Sequence, residues 1–332
     1  MELYVLWLVV FLALSFDFIN GFHDTANAIA TSVSTRAMKP RTAILLASVM
    51  NFVGALSFTG VAKMIGGGVA DPAKLEHGVY IVIATLIAAI AWNLITWWFG
   101  IPSSSSHALI GSLAGAVIGA AGFGGINASG FIDIIKALIL SPLIAFAAGF
   151  IIMWLLKRIF ANSSPHSVNK GFRFCQIITA SFQAFSHGTN DAQKAMGIIT
   201  FALVAAGIQD TLDVPLWVKI SAATAMALGT SVGGWKIIKT MGTKIFKIEP
   251  INGFAADITS ASVILSATVL HFPVSTTHVI TSAILGVGSA KRFSSVKWGV
   301  AGRIVMAWFI TIPITMVFAA LVFGLIEALF LL

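Results

Sequence analysis

Long apolar runs recur from one end of the chain to the other, and they restrict its fold more than any other feature. A run of about 20 apolar residues is long enough for a helix to cross the hydrocarbon core of a bilayer. Only helices and closed strand barrels span lipid, and these continuous runs lack the alternating pattern of barrel strands. The chain is 58% hydrophobic and only 10% charged, whereas soluble domains carry about 25% charged residues. We therefore expect an all-α polytopic membrane protein.

Basic residues give the chain a formal net charge of +8, and in a membrane protein they report topology first. They cluster at 36–41, 157–173, 236–247 and 291–297. Four cytoplasmic clusters explain this charge, so no nucleic-acid partner is expected. The N-terminal stretch lacks a basic region and a small-residue cleavage site, so a cleaved signal peptide is not expected. A bacterial inner (plasma) membrane suits this pattern.

Two short polar stretches interrupt the apolar sequence, PSSSSH at 102–107 and PVSTTH at 273–278. The residue before a proline disfavours helix, so each proline ends the apolar arm that precedes it. The hydroxyl residues that follow can cap the N-terminus of a second helix. Each stretch therefore predicts the tip of a helical hairpin.

A second pair of motifs lies earlier in each half, NGFHDTANAIA at 20–30 and SHGTNDAQKAMG at 186–197. The spacing from this motif to the tip is similar in both halves, which indicates an internal repeat. With all basic clusters on one side, each half makes three net crossings plus one hairpin. An odd number of crossings inverts the second copy, as in the inverted repeats of secondary transporters. We expect a first repeat at 1–156, a cytoplasmic linker at 157–173 and a second repeat at 174–332.

The earlier motifs place a carboxylate inside an apolar segment, which costs several kcal/mol unless the carboxylate is paired or hydrated. Glycine and asparagine beside it tolerate non-helical backbone, and a break would free carbonyl groups. Such a site suits a small hard cation, which prefers oxygen ligands. The alternative is a hydrogen bond that only stabilises the break. The candidate cation-coupling residues are Asn20, Asp24, Asn27 and Asp191.

The hairpin tips suit an oxyanion. The first N–H groups of a helix are unsatisfied and its dipole is positive there, so hydroxyls at this end complete an anion site. Two such tips from inverted halves would face each other near the midplane. The alternative is that the hydroxyls only cap a buried turn. The candidate anion-binding residues are Ser104, Ser105, Ser106, Ser275, Thr276 and Thr277, with Gln183 and Asn190 as further donors.

Four more residues are candidates for proton transfer or gating: His107, His278, Asp257 and Lys194. The histidines close the two tips, and their simpler role is to satisfy backbone groups. Lys194 follows Asp191 by three residues. It can neutralise that carboxylate or extend to the membrane interface.

These motifs resemble the inorganic phosphate transporter (PiT) family, whose signature has the form G-A-N-D-V-A-N-A near the start of each half. The first copy here reads GFHDTANA from Gly21, and the second reads GTNDAQKA from Gly188. The resemblance covers essentially the whole chain. The copies depart from the signature at His23, Gln193 and Lys194, so the second copy lacks the side chain that matches Asn27.

The resemblance implies a symporter that imports inorganic phosphate with Na⁺ or H⁺ by alternating access, with the anion between the two tips. It implies no enzymatic activity, no cofactor, and no metal beyond a coupling Na⁺. The expected partners are phosphate, the coupling ion and the bilayer, and the glycine-rich helices are compatible with a homodimer.

Other functions stay open at this point. The same family includes sulfate permeases, and sulfate is also a tetrahedral oxyanion. A metal-ion carrier would use the Asp and His residues but would leave the serines unexplained. A channel would carry flux without coupling. An intramembrane hydrolase would need a nucleophile and base brought together in space, and the adjacent Ser106 and His107 are a poor arrangement for this.

Overall fold

The computed structural model describes residues 3–330, and within that range the regular structure is entirely helical. This confirms the predicted all-α class. The α-helices of the first half are α1 (Leu3–His23), α2 (Thr25–Ser34), α3 (Pro40–Ala55), α4 (Gly60–Gly68), α5 (Gly78–Phe99), α6 (Ser105–Ala121) and α7 (Ala128–Ile159). Those of the second half are α8 (Pro165–Asp191), α9 (Gln193–Ala205), α10 (Leu216–Val232), α11 (Trp235–Lys239), α12 (Pro250–Val269), α13 (Thr276–Arg292) and α14 (Trp298–Phe330).

Several helices are long and apolar enough to cross a membrane. Within the described residues there are four: the α1–α2 span Tyr4–Ser34, and the helices α5, α7 and α14. The bent pair formed by α3 and the segment Gly60–Lys74 makes a fifth if it is counted as one span. α8 has 27 residues but is not among them, because it carries basic residues at its start and the polar motif at its end.

The order of the elements in the first half recurs in the second. Each half begins with a broken helix, α1–α2 or α8–α9, and continues with a helix and a short segment, α3–α4 or α10–α11. A helical hairpin follows, α5–α6 or α12–α13, and then a helix of 32 or 33 residues. Both final helices contain a proline, Pro142 and Pro313. The broken helix and the hairpin predicted for each half are thus both present.

The two halves pack against each other through reciprocal pairs of helices. α1 packs on α10, and α8 packs on α3. The second arm of each hairpin packs on the final helix of the opposite half, so that α6 lies on α14 and α13 lies on α7. Reciprocal contacts of this kind are those of a self-complementary interface between two similar units.

Glycines allow the first of these reciprocal pairs to approach closely. A Cβ on Gly21 of α1 would lie 2.5 Å from the carbonyl oxygen of Met226 in α10. A Cβ on Gly188 of α8 would likewise collide with the carbonyl oxygen of Asn51 in α3. Gly21 and Gly188 occupy matching positions in the two motifs. Small residues at such crossings bring two backbones into contact, as is typical of helix packing in membranes.

The segment between the halves is more helical than its polar sequence predicts. α7 continues to Ile159 and α8 begins at Pro165, so only 160–164 of the expected linker 157–173 lie outside helices. Ser164 caps α8, because its Oγ accepts a hydrogen bond from the Ser167 N–H at 3.3 Å, and Pro165 takes the first helical position. The boundaries at 156 and 174 remain predictions.

Candidate functional site

Both aspartates of the paired motifs lie where a helix breaks. Asp24 separates α1 from α2, and Asp191 ends α8, with Ala192 alone between it and the start of α9. Both are buried, with exposed fractions of 1% and 0%. The glycine and amide residues around them predicted these breaks.

The carboxylate of Asp24 binds one hydroxyl from each hairpin tip. Its Oδ2 accepts a hydrogen bond of 3.1 Å from Ser105 Oγ, and its Oδ1 accepts one of 3.3 Å from Thr277 Oγ1. The third partner is His23, whose Nδ1 lies 2.6 Å from Oδ1. Asp24 therefore joins the broken helix of the first half to both tips.

The two tips meet, and each begins with a serine cap. Ser104 Oγ accepts from the His107 N–H at 3.1 Å, and Ser275 Oγ accepts from the His278 N–H at 3.2 Å. The tips also bind each other directly, since Ser106 Oγ donates to the carbonyl oxygen of Val274 at 2.8 Å. The capping role expected of the hydroxyl residues thus belongs to Ser104 and Ser275. The central hydroxyls are those of Ser105, Ser106, Thr276 and Thr277.

The two histidines lie against each other at the tips. Their ring centroids are 4.3 Å apart, and the His278 ring stacks on Trp308 at 3.9 Å. His107 Nδ1 lies 2.8 Å from Ser104 Oγ. The side chains thus lie in the contact between the hairpins, and their part in proton transfer or gating stays a prediction.

Asp191 is surrounded by nitrogen atoms. Lys194 Nζ lies 2.9 Å from its Oδ2, Asn20 Nδ2 donates to the same oxygen at 3.3 Å, and His187 Nε2 lies 3.4 Å away. One ligand atom each from Asp24, His187 and Asp191 lie within 4.8 Å of one another. The two aspartate motifs, 167 positions apart in sequence numbering, therefore form one centre.

Asn27 links this centre to the second tip. Its Nδ2 donates to Thr276 Oγ1 at 3.2 Å and to Thr277 Oγ1 at 2.9 Å. Gln183 lies behind it, donating from Nε2 to the Asn27 carbonyl oxygen at 3.1 Å and accepting from Ser260 Oγ at 2.7 Å. Gln183 thus holds the backbone just after the break, and its role as an anion ligand remains a prediction.

Asn190 holds the loop that leads to the second tip. Its Nδ2 donates to Thr268 Oγ1 at 3.0 Å and to the Phe272 carbonyl oxygen at 3.2 Å, while its Oδ1 accepts from the Val274 N–H at 3.3 Å. Both ends of the amide are engaged with the hairpin α12–α13. An anion contact by Asn190, which the sequence suggested, is likewise only predicted.

Asp257 lies in a separate polar cluster on α12. Its Oδ1 accepts a hydrogen bond of 2.6 Å from Thr31 Oγ1 of α2. Nearby, Thr35 Oγ1 donates to Gln176 Oε1 at 2.7 Å. This cluster ties the short arm of the first broken helix to the opposite half, and a proton-transfer role for Asp257 stays a prediction.

Several side-chain oxygens around the breaks are buried without a hydrogen-bond partner in the described structure. They include Asn20 Oδ1, Asn27 Oδ1 and Asp191 Oδ1, and both carboxylate oxygens of Asp17. Most buried acceptors in folded proteins have a donor, so an unpaired group calls for a further ligand. Oxygens of this kind are suitable ligands for a hard cation.

Sequence reasoning missed the isolated hydroxyl residues that position the motifs. Thr96 lies 3.0 Å from His23 Nε2, and Thr268 binds Asn190. His23 and Asn190 occupy matching positions in the two motifs. Each thus contacts a threonine near the end of the first arm of the hairpin in its own half. A single threonine in an apolar helix carries no motif, so only the repeat itself could have pointed to it.

The sequence of this chain is similar to those of known phosphate transporters. A model of the phosphate transporter family matches residues 20–319. The chain is 60% identical over 324 residues to the "Probable low-affinity inorganic phosphate transporter" of Bacillus subtilis strain 168, covering 97% of each chain. It is 46% identical to the protein of the same name from Rhizobium meliloti strain 1021, covering 94% of each.

A solved structure described as "The sodium-dependent phosphate transporter" superposes with a TM-score of 0.87. It is 26% identical in sequence, and the match covers 98% of this chain and 100% of the other. The family match covers most of the chain, and the helices are long and apolar enough to span a bilayer. The chain therefore belongs to the phosphate transporter family and is a multi-pass transport protein of a bacterial membrane.

Proposed function

We propose that this protein imports inorganic phosphate together with Na⁺ by symport, with the anion held between the two hairpin tips. The observation that carries the proposal is that Asp24, a cation ligand by chemistry, accepts hydrogen bonds from Ser105 and Thr277, one hydroxyl of each tip. A single carboxylate thus connects the groups suited to the cation with the groups suited to the anion. The names of the relatives support the substrate.

The tips contribute the donors of the proposed anion site. α6 and α13 are both 17-residue helices whose first residues are buried. Their dipoles place positive partial charge at the tips, and their first N–H groups lack intrahelical partners. Hydroxyls of Ser105, Thr276 and Thr277 add to these donors, whereas the Ser106 hydroxyl donates to the Val274 carbonyl oxygen. Phosphate would bind there as anions do at other helix N-termini.

The unpaired oxygens support Na⁺ in preference to a proton as the coupling ion. Asn20 and Asn27 contribute amide oxygens, which are neutral ligands for a metal ion and poor bases for a proton. Asp24 supplies the negative charge. The structural neighbour is also described as sodium-dependent.

The shared carboxylate gives a physical basis for coupling. While Asp24 accepts from Ser105 and Thr277, those hydroxyls are committed to it. A Na⁺ bound at Asp24 draws on the same lone pairs and weakens both hydrogen bonds. The hydroxyls then become better donors to phosphate. Each ligand raises the affinity for the other, and this reciprocity is required by linkage. Movement of one part of the protein against the other would then expose the loaded site to each side in turn.

The carboxylates also favour phosphate over sulfate. An ionised carboxylate can only accept hydrogen bonds. At neutral pH phosphate keeps at least one proton, so it can donate a hydrogen bond to Asp24 or Asp191. Sulfate has no such proton, so the negative charge of the same carboxylates would repel it.

The test is uptake of radiolabelled phosphate into proteoliposomes, with Na⁺ and H⁺ gradients imposed separately and excess unlabelled sulfate as competitor. Accumulation that follows the Na⁺ gradient and ignores sulfate is expected. Accumulation that follows only the H⁺ gradient would replace Na⁺ by the proton. Uptake abolished by sulfate, with labelled sulfate accumulated, would show a sulfate permease.

A further inference from the structure

Lys194 is a buried cation beside Asp191. Its side chain is 1% exposed, and it is the only buried lysine or arginine among the residues that the structure describes. A buried ammonium group is costly unless it is paired and hydrogen-bonded. It therefore does not extend to the membrane interface, which was the alternative that the sequence left open.

Its position in the repeat is that of an oxygen ligand. In the first motif Asn20, Asp24 and Asn27 follow each other at intervals of four and three residues. The second motif has the same spacing with His187, Asp191 and Lys194. The first set presents carboxylate and amide oxygens, whereas the second presents one carboxylate, one imidazole and one ammonium group. Lys194 thus stands where the matching site has the amide of Asn27.

The ammonium group makes the contacts that a bound cation would make. Lys194 Nζ lies 2.9 Å from Asp191 Oδ2 and donates to Ser105 Oγ at 2.7 Å. It therefore joins the break of the second half to the tip of the first half. Asp24 has the corresponding links to both tips, but no lysine lies in its motif.

We propose that Lys194 is a built-in substitute for a coupling cation at Asp191, which leaves the set Asn20, Asp24 and Asn27 as the single exchangeable Na⁺ site. This inference rests on the proposed Na⁺ site at Asp24. Two equivalent aspartate motifs would otherwise bind two cations. Here the second positive charge belongs to the chain and stays with it when the site opens, so each transport cycle carries one Na⁺ fewer than a symmetric pair of sites would.

The experiment counts bound ²²Na⁺ per chain by equilibrium dialysis of the purified protein without phosphate. The wild type, Lys194→Asn and Lys194→Arg are compared, because asparagine restores the residue type of Asn27 and arginine keeps the charge. We expect one Na⁺ for the wild type and for Lys194→Arg, and two for Lys194→Asn. The ratio of Na⁺ to phosphate flux in proteoliposomes should rise by one in Lys194→Asn.

Other outcomes separate this inference from the proposed function. Two Na⁺ bound to the wild type, or an unchanged count in Lys194→Asn, would overturn the inference and leave the symport proposal standing. No Na⁺ on the wild type with one on Lys194→Asn would support the inference and refute Na⁺ binding at Asp24. If Lys194→Asn does not fold, the double variant Lys194→Met/Asp191→Asn removes the pair together. It should keep the wild-type count, and a count lower by one overturns the inference.

Discussion

Replacing Asp24 by asparagine tests whether this carboxylate competes with phosphate for the tip hydroxyls. Asp24 accepts from Ser105 at 3.1 Å and from Thr277 at 3.3 Å. Hydrogen bonds to a charged group contribute about 1.5–3 kcal/mol, and neutral ones about 0.5–1.5 kcal/mol. The amide oxygen of asparagine therefore holds each hydroxyl less tightly, by about 1 kcal/mol. For two hydroxyls this amounts to about 2 kcal/mol, or roughly 30-fold in affinity.

Asp24→Asn should thus bind phosphate about 30-fold more tightly than the wild type when Na⁺ is absent, following the same hydrogen-bond difference. Adding Na⁺ should then change its affinity little, whereas Na⁺ should strengthen binding to the wild type. Na⁺-driven accumulation in proteoliposomes should be lost, although the variant still inserts. Calorimetric titration of phosphate with and without saturating Na⁺ measures both affinities.

Asp17→Asn is the matched control. Asp17 is a buried carboxylate on α1, close to Asn20 and Asp191, and it makes no hydrogen bond to either tip in the described structure. It removes the same charge without touching a tip. An equal gain in phosphate affinity in both variants would mean that charge alone explains the effect. Wild-type affinity and wild-type Na⁺ dependence in Asp24→Asn would refute the competition itself.

Three further changes test other parts of the site. Ser105→Ala combined with Thr277→Ala should weaken phosphate binding in saturating Na⁺ by roughly 30-fold, because each lost donor costs about 1 kcal/mol. If calorimetry shows an unchanged affinity for phosphate, the tip hydroxyls only cap their helices. Asn190→Ala leaves the Val274 N–H and the Phe272 carbonyl without their partner. The KM for phosphate should therefore rise several-fold, while the number of Na⁺ bound per chain stays the same. A changed number of bound Na⁺ would place Asn190 in the cation site. Gly188→Ala should lower the thermal midpoint in detergent, because the new Cβ meets the Asn51 carbonyl and overpacking costs about 1–3 kcal/mol. Gly171→Ala on the same helix meets nothing within 4 Å and should not lower it.

The elements of the site could be predicted from sequence where the backbone itself is constrained. Glycine and asparagine around Asp24 and Asp191 predict the helix breaks, and the hydroxyl residues after Pro102 and Pro273 predict the starts of α6 and α13. These signals are local, because they depend on the φ preferences and hydrogen-bonding groups of neighbouring residues. The repeat then indicated that the two motifs and the two tips belong together.

The partners of individual side chains could not be predicted in this way. Gln183 and Asn190 have donors suited to an anion, yet in the structure these donors bind the Asn27 carbonyl and the loop before Val274. Their partners lie 156 and 82 positions away, and no local pattern specifies such distances. Whether the Lys194 side chain pairs with Asp191 or extends to the membrane interface likewise depends on how deeply α9 is buried, which only the packed structure specifies.

The exchange of helices between the halves limits how this transporter can move. Because α6 packs on α14 and α13 packs on α7, the two halves of the sequence cannot act as two separate rigid bodies. A body that carries the first tip must carry the last helix of the chain with it, and a body that carries the second tip must carry α7. The segment 160–164 is therefore a tether between interleaved parts and not a hinge between two domains. Chains cut there should remain assembled, whereas a disulfide between α6 and α14 should leave phosphate uptake intact.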